Sequence, residues 1–106
     1  MAHLPTDPSL AQLQQYQADI CRERGWDQTS DLETFLLFSE EFGELAKAIR
    51  NRRKLYQEQT KANSQDLAGE FADVLSYLME LANRFDIDLE QAYREKEAQN
   101  AKRNWD

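Results

Sequence analysis

From Leu67 to Phe85 an apolar residue returns every three or four positions: Leu67, Phe71, Val74, Leu75, Leu78, Ala82 and Phe85. That period belongs to one face of an α-helix. Phe35, Phe38, Phe42, Leu45 and Ile49 form a second stripe, and Leu10, Leu13, Tyr16, Gln17 and Ile20 share a face before it. A fourth, less apolar set follows: Leu89, Ala92, Tyr93 and Ala98. Three glycines and two prolines in 106 residues leave little room for the turns of a multi-stranded sheet. The expected fold class is all-α, with four helices.

End signals place these helices. Residues 1–7 read as a flexible N-terminus, and residues 8–106 as a single domain. Asp7-Pro8 reads as an N-cap followed by proline at the first helical position, with Gly25 as the stop after Arg24. Ser30-Asp31-Leu32-Glu33 is a capping box that opens a helix running to about Arg52. Asn51-Arg52-Arg53-Lys54 suits the negative end of that helix. Residues 55–64 are polar and aperiodic, and read as a mobile connection. Ser64 or Asn63 caps the third helix, over about 65–84, and Asp88 caps the fourth, from Leu89 to about Arg103.

Composition excludes several functions. Twenty acidic against thirteen basic side chains give a net charge of −7, which disfavours nucleic acid or an anionic membrane as partner. It does not disfavour nucleotides, because a divalent cation can carry a triphosphate to an acidic site. One cysteine, Cys21, makes no internal disulfide, and a reducing cytoplasm is the simplest compartment. His3 is the single histidine and falls in the expected tail, so Ser-His-Asp and Cys-His catalysis inside the domain are excluded. No Glu-x-x-His occurs, which disfavours a di-iron bundle, and there is no phosphate-binding glycine loop of the P-loop kind.

Five acids interrupt the two strongest stripes. Glu40, Glu41 and Glu44 lie in the second helix; Glu70 and Asp73 lie in the third, with Tyr77 one turn further on. Glu41 sits at a stripe edge and Glu44 about 60° further round. Like charges at these spacings repel, and acids at the rim of a core need a compensating charge. Oxygen-only ligands suit Mg²⁺ or Mn²⁺. One such run usually marks a solvated helix face. Two at stripe edges point further towards a metal, and spacing by itself leaves both readings open. Gly43 in a helix interior costs about 1 kcal/mol, so a close approach of a backbone or ligand is expected there. Trp26, between the first two helices, reads either as a lid over a core edge or as a platform for a flat ligand.

The order Glu-Glu-x-x-Glu, about 25 residues, then Glu-x-x-Asp resembles the MazG-like nucleotide pyrophosphohydrolases. Lys96-x-x-x-Asn100-x-x-Arg103 resembles the basic C-terminal pattern of the short members, and Trp26 and Tyr77 resemble base-holding aromatics of dCTPase-like relatives. The resemblance runs from about Leu10 to Trp105. It implies a four-helix bundle completed by oligomerisation, as a homodimer or homotetramer. It implies Mg²⁺-dependent hydrolysis of a nucleoside triphosphate to the monophosphate and pyrophosphate, Mn²⁺ being a possible substitute. A dNTP, dCTP-like, is the expected substrate, and nucleotide-pool house-cleaning the expected role.

Under that resemblance Glu41, Glu44, Glu70 and Asp73 are metal ligands, and Glu40 a further metal contact or the residue that orients water. Trp26 and Tyr77 stack on the base; Lys96, Asn100 and Arg103 take phosphate or sugar. Gln17 and Asn51 are candidates for base discrimination. The alternatives are a non-catalytic helical interaction module and a phosphoribosyl-ATP pyrophosphohydrolase.

Overall fold

A computed structural model describes residues 1–53 and 66–103. Among them the chain is all-helical: α1 (Leu10–Glu23), a short 3₁₀ turn (Trp26–Gln28), α2 (Asp31–Arg52), α3 (Leu67–Arg84) and α4 (Leu89–Ala101). The expected connection 55–64 and the caps Asn63 and Ser64 lie outside the described residues. The chain forms two compact units, one of Met1–Gln28 with Met79–Asp106, the other of Thr29–Leu78.

Helix starts follow from side chains that satisfy end-of-helix amides. α2 opens as read: the Ser30 hydroxyl accepts from the Glu33 amide at 3.1 Å, and the Glu33 carboxylate accepts from the Ser30 amide at 3.1 Å. Asp88 caps α4, its Oδ1 accepting from the amides of Glu90 at 3.0 Å and Gln91 at 3.2 Å. α1 corrects the expectation. Asp7 has φ +51 and cannot act as an extended N-cap, and Pro8 precedes the helix. Ser9 is the cap instead, and exchanges bonds with Gln12 in a second capping box. Gly25 ends α1 as expected, at φ +72, in the left-handed region where a Cβ is costly. α4 stops at Ala101, so Arg103 lies just past the helix, its amide bonded to the Asn100 carbonyl at 3.1 Å.

In the first unit α1 is held by Gln14, which is only 6% exposed. Its Nε2 donates to Asn83 Oδ1 at 3.0 Å and to the Ile87 carbonyl at 2.6 Å, and its Oε1 accepts from the Leu89 amide at 2.9 Å. Asn83 Nδ2 returns a bond to the Gln14 carbonyl at 3.1 Å. Glu90 adds a bond from α4 to the start of α1, accepting from the Ala11 amide at 3.0 Å. Ile20, Cys21, Met79 and Ala82 are buried in this unit, together with Gln17 and Glu80. The expected core face of α4 is not one. Ala92, Tyr93 and Ala98 are exposed, and only Leu89 is half-buried.

In the second unit one face of α2 is buried, through Thr34, Phe38, Ala48 and Asn51. Phe38 meets Phe42 edge-on at 4.9 Å between ring centroids. The expected stripes are otherwise largely open. Phe35 is 52% exposed, Phe42 53% and Phe71 54%; Ile49, Leu75 and Leu78 are exposed too. Among the described residues nothing lies within 4 Å of where a Gly43 Cβ would stand, so the close approach expected there is not made by any of them.

Candidate metal centre

The acids at the edges of α2 and α3 meet. Glu41, Glu70 and Asp73 each offer one carboxylate oxygen, and these three atoms lie within 4.8 Å of one another. Two helices are needed to build this group. Glu70 and Asp73 are neighbours by helical spacing, whereas Glu41 reaches them from an element 29 positions earlier in the chain at its nearest. Glu41 and Glu70 are half-buried and Asp73 is exposed, so the group is open on one side.

Burial and neighbouring carboxylates raise two of these carboxyls. Burial, then the carboxylates of Asp73, Glu70, Glu44 and Glu40, raises the Glu41 carboxyl above its ordinary value. Burial, then Asp73, Glu44 and Asp66, raises Glu70. Glu40 and Glu44 are exposed and stand outside the triad, but both act on it through charge. Asp66 is an acid the sequence reading missed. A Cβ on Gly69 would run into its carboxylate, so glycine there lets the Asp66 side chain fold over the first turn of α3.

The donor set fits a small hard dication. All three donors are carboxylate oxygens, and octahedral ligands at 2.0–2.1 Å from an ion stand roughly 3–4 Å apart. Oxygens already within 4.8 Å need little movement to reach that spacing. The rise in carboxyl pKa is the reciprocal statement, since a dication there would offset the repulsion.

The remaining candidates are distributed as follows. Tyr77 is half-buried on α3, one turn after Asp73. Trp26 is 54% exposed at the start of the 3₁₀ turn, which disfavours the reading as a core lid, and the Arg24 guanidinium lies over its ring. Lys96 and Arg103 are exposed and Asn100 half-buried, at the C-terminal end of the first unit. Gln17 is buried in α1 and donates to Cys21 Sγ at 3.4 Å, and Asn51 is buried at the end of α2. A depression of about 380 Å³ lies beside Gln14, Asn83 and Ile87, where the amide groups of Gln14 and Asn83 bond to each other and to backbone.

Among the described residues no helix is long and apolar enough to cross a membrane. Comparison with curated proteins and with solved structures returned no match. The profile of the MazG nucleotide pyrophosphohydrolase domain matches residues 29–104, a span that contains both acid-bearing helices and all of α4. With that match over most of its length, and the acids of α2 and α3 gathered into one carboxylate group, the chain belongs to the MazG family of nucleotide pyrophosphohydrolases.

Proposed function

We propose that residues 8–106 act as one Mg²⁺-dependent pyrophosphohydrolase domain that converts (deoxy)nucleoside triphosphates to the monophosphate and pyrophosphate. The observation that carries this reading is the approach of Glu41, Glu70 and Asp73 from two helices to within 4.8 Å. A dCTP-like preference, a house-cleaning role and a cytoplasmic location belong to the same reading.

Glu41, Glu70 and Asp73 hold the cation, and Glu44 joins them from one turn along α2. When bound, Mg²⁺ neutralises phosphate charge and makes water more acidic. Glu40 orients the attacking water by accepting its hydrogen bond. Lys96 and Arg103 take phosphate oxygens, Arg103 through two parallel N–H bonds, and Asn100 donates to phosphate or sugar. Tyr77 and Trp26 stack on the base, and Gln17 and Asn51 are candidates for telling bases apart. Catalysis of phosphoryl transfer is mostly positioning and charge stabilisation, which a cluster of acids with basic and aromatic side chains can supply.

A second copy of the chain completes the bundle, in a dimer or a dimer of dimers. The support is α2, whose apolar arc runs well past its buried face. Thr34, Phe38 and Ala48 are buried, while Phe35 and Phe42 beside Phe38, and Leu32 and Leu36 further round, are exposed. Such a surface is larger than scattered single apolar residues account for.

The test is a panel of all eight (d)NTPs with Mg²⁺, run on the wild type and on Glu41→Gln, Glu44→Gln, Glu70→Gln and Asp73→Asn. Turnover of at least one triphosphate, nearly abolished in each variant with helicity intact, is the expected result. Full activity in any two of the variants sinks the assignment. An absence of turnover, with no effect of Mg²⁺ or Mn²⁺ on melting, favours a helical interaction module.

A further inference from the structure

We infer that Arg24 is a positioning residue for Trp26: its guanidinium occupies one face of the indole and leaves the other to receive a nucleobase. The inference rests on the base-stacking role proposed above for Trp26.

Three features of the turn between α1 and α2 carry it. The Arg24 guanidinium carbon lies 4.8 Å from the centroid of the Trp26 ring, inside the range in which a cation is attracted to an aromatic face. Arg24 is the C-cap of α1, with φ −91 and ψ 0, so its backbone is fixed by the helix it ends. Gly25 then turns the chain at φ +72, which a residue with a Cβ adopts only under strain, and Trp26 opens the 3₁₀ turn. Among the described residues a Cβ on Gly25 would meet nothing within 4 Å. The glycine is therefore needed for the direction of the turn and not for space, and that direction sets the arginine against the ring.

An exposed tryptophan on a short turn ordinarily samples several rotamers, and a ligand that stacks on it must order it at an entropic cost. A guanidinium on one face does part of that ordering before the ligand arrives. It also makes the platform one-sided, because a planar cation and a base cannot share a face. Lysine is a poor replacement: it keeps the charge and loses the planar, weakly hydrated guanidinium, which suits an aromatic face better than an ammonium does.

The test is a double-mutant cycle of Arg24→Gln and Trp26→Ala on the full chain, with Arg24→Lys beside it. KM and kcat are measured for the best triphosphate of the panel, and product inhibition constants for its monophosphate. Arg24→Gln is expected to raise KM by about threefold, the worth of one exposed cation–π contact, with kcat unchanged. The monophosphate constant should rise by the same factor, Arg24→Lys should recover part of it, and the double variant should be no worse than Trp26→Ala. In a Trp105→Phe background, Arg24→Gln should also weaken the near-ultraviolet circular dichroism of Trp26 without nucleotide. A rise in KM that is equally large in the Trp26→Ala background, or that spares the monophosphate, makes Arg24 a phosphate contact and overturns the inference. An unchanged KM in Arg24→Gln with a raised KM in Trp26→Ala overturns it and leaves the Trp26 reading standing. An unchanged KM in Trp26→Ala overturns both.

Discussion

Gln14 and Asn83 exchange hydrogen bonds across 69 positions of sequence: Gln14 Nε2 donates to Asn83 Oδ1 at 3.0 Å, and Asn83 Nδ2 donates to the Gln14 carbonyl at 3.1 Å. The same Gln14 amide serves the Ile87 carbonyl and the Leu89 amide, so one side chain joins α1 to the α3–α4 corner.

Replacing Gln14 by alanine leaves several part-buried groups without their partner at once, and a fully buried group left unpaired costs about 1–3 kcal/mol. A loss of about 3 kcal/mol is expected, and Gln14→Glu should be at least as damaging, because it presents an acceptor to Asn83 Oδ1 and the Ile87 carbonyl. Urea unfolding of both variants checks this. A Gln14→Glu protein as stable as wild type contradicts the clasp.

Cys21 should be inert. Burial, then the neighbouring Glu80 carboxylate through a hydrogen bond and its charge, pushes the thiol up to about 12, against the opposing effects of Gln17 and Arg84. The thiolate is the reactive form, so at neutral pH a thiol reagent should modify the native protein only at the rate of its opening. Above the ordinary thiol value of 9.0 the unfolded chain ionises first, so this group withdraws stability as pH rises from 9.0 towards about 12. Labelling of the native protein as fast as of a urea-unfolded sample would refute the burial.

The carboxylate triad makes the opposite of the usual acid denaturation. Glu41 and Glu70 are raised above 4.5 in the folded, metal-free protein, so the folded state binds more protons than the unfolded one just above that pH. Stability then falls as pH rises through that window, and protonation restores it. In EDTA the melting temperature of Glu41→Gln should gain on that of wild type as pH goes from 4.5 to 7, and saturating Mg²⁺ should reverse the order at pH 7. A difference independent of pH would show that the acids do not repel one another in the folded chain.

Much of this arrangement is legible in the residues. Ser30 with Glu33, Asp88, and Gly25 mark helix ends because their bonding and backbone roles are local. Glu41, Glu70 and Asp73 stand out because acids at stripe edges conflict with the apolar pattern around them. Other features depend on contacts far apart in sequence. Nothing local marks Gln14 as a buried residue, because its partners are 69 to 75 positions away. Periodicity shows that Phe35, Phe42 and Phe71 share apolar faces, but not what covers them. Tyr93 has the right spacing for a core face and lies in solvent, since α4 has too few apolar neighbours to bury it. Ser9 displaced Asp7 as the cap of α1 because a reciprocal bond to Gln12 outweighs proline at the first position.

The exposed side of α2 predicts self-association. Leu36→Asp places a charge beside Leu32 and Phe35 without touching the carboxylate triad. Sedimentation at micromolar concentration should show the wild type as a dimer or tetramer and this variant shifted towards monomer. A wild type that sediments as a monomer contradicts the proposal.

The most direct measurement is the identity of the products. The wild-type protein, Mg²⁺ and the best triphosphate of the panel are followed by ³¹P nuclear magnetic resonance, with Glu41→Gln as the control. The account predicts monophosphate and pyrophosphate in equal amounts, stopped by EDTA and absent in the variant. A diphosphate with orthophosphate, or the same products from Glu41→Gln at the wild-type rate, would contradict it.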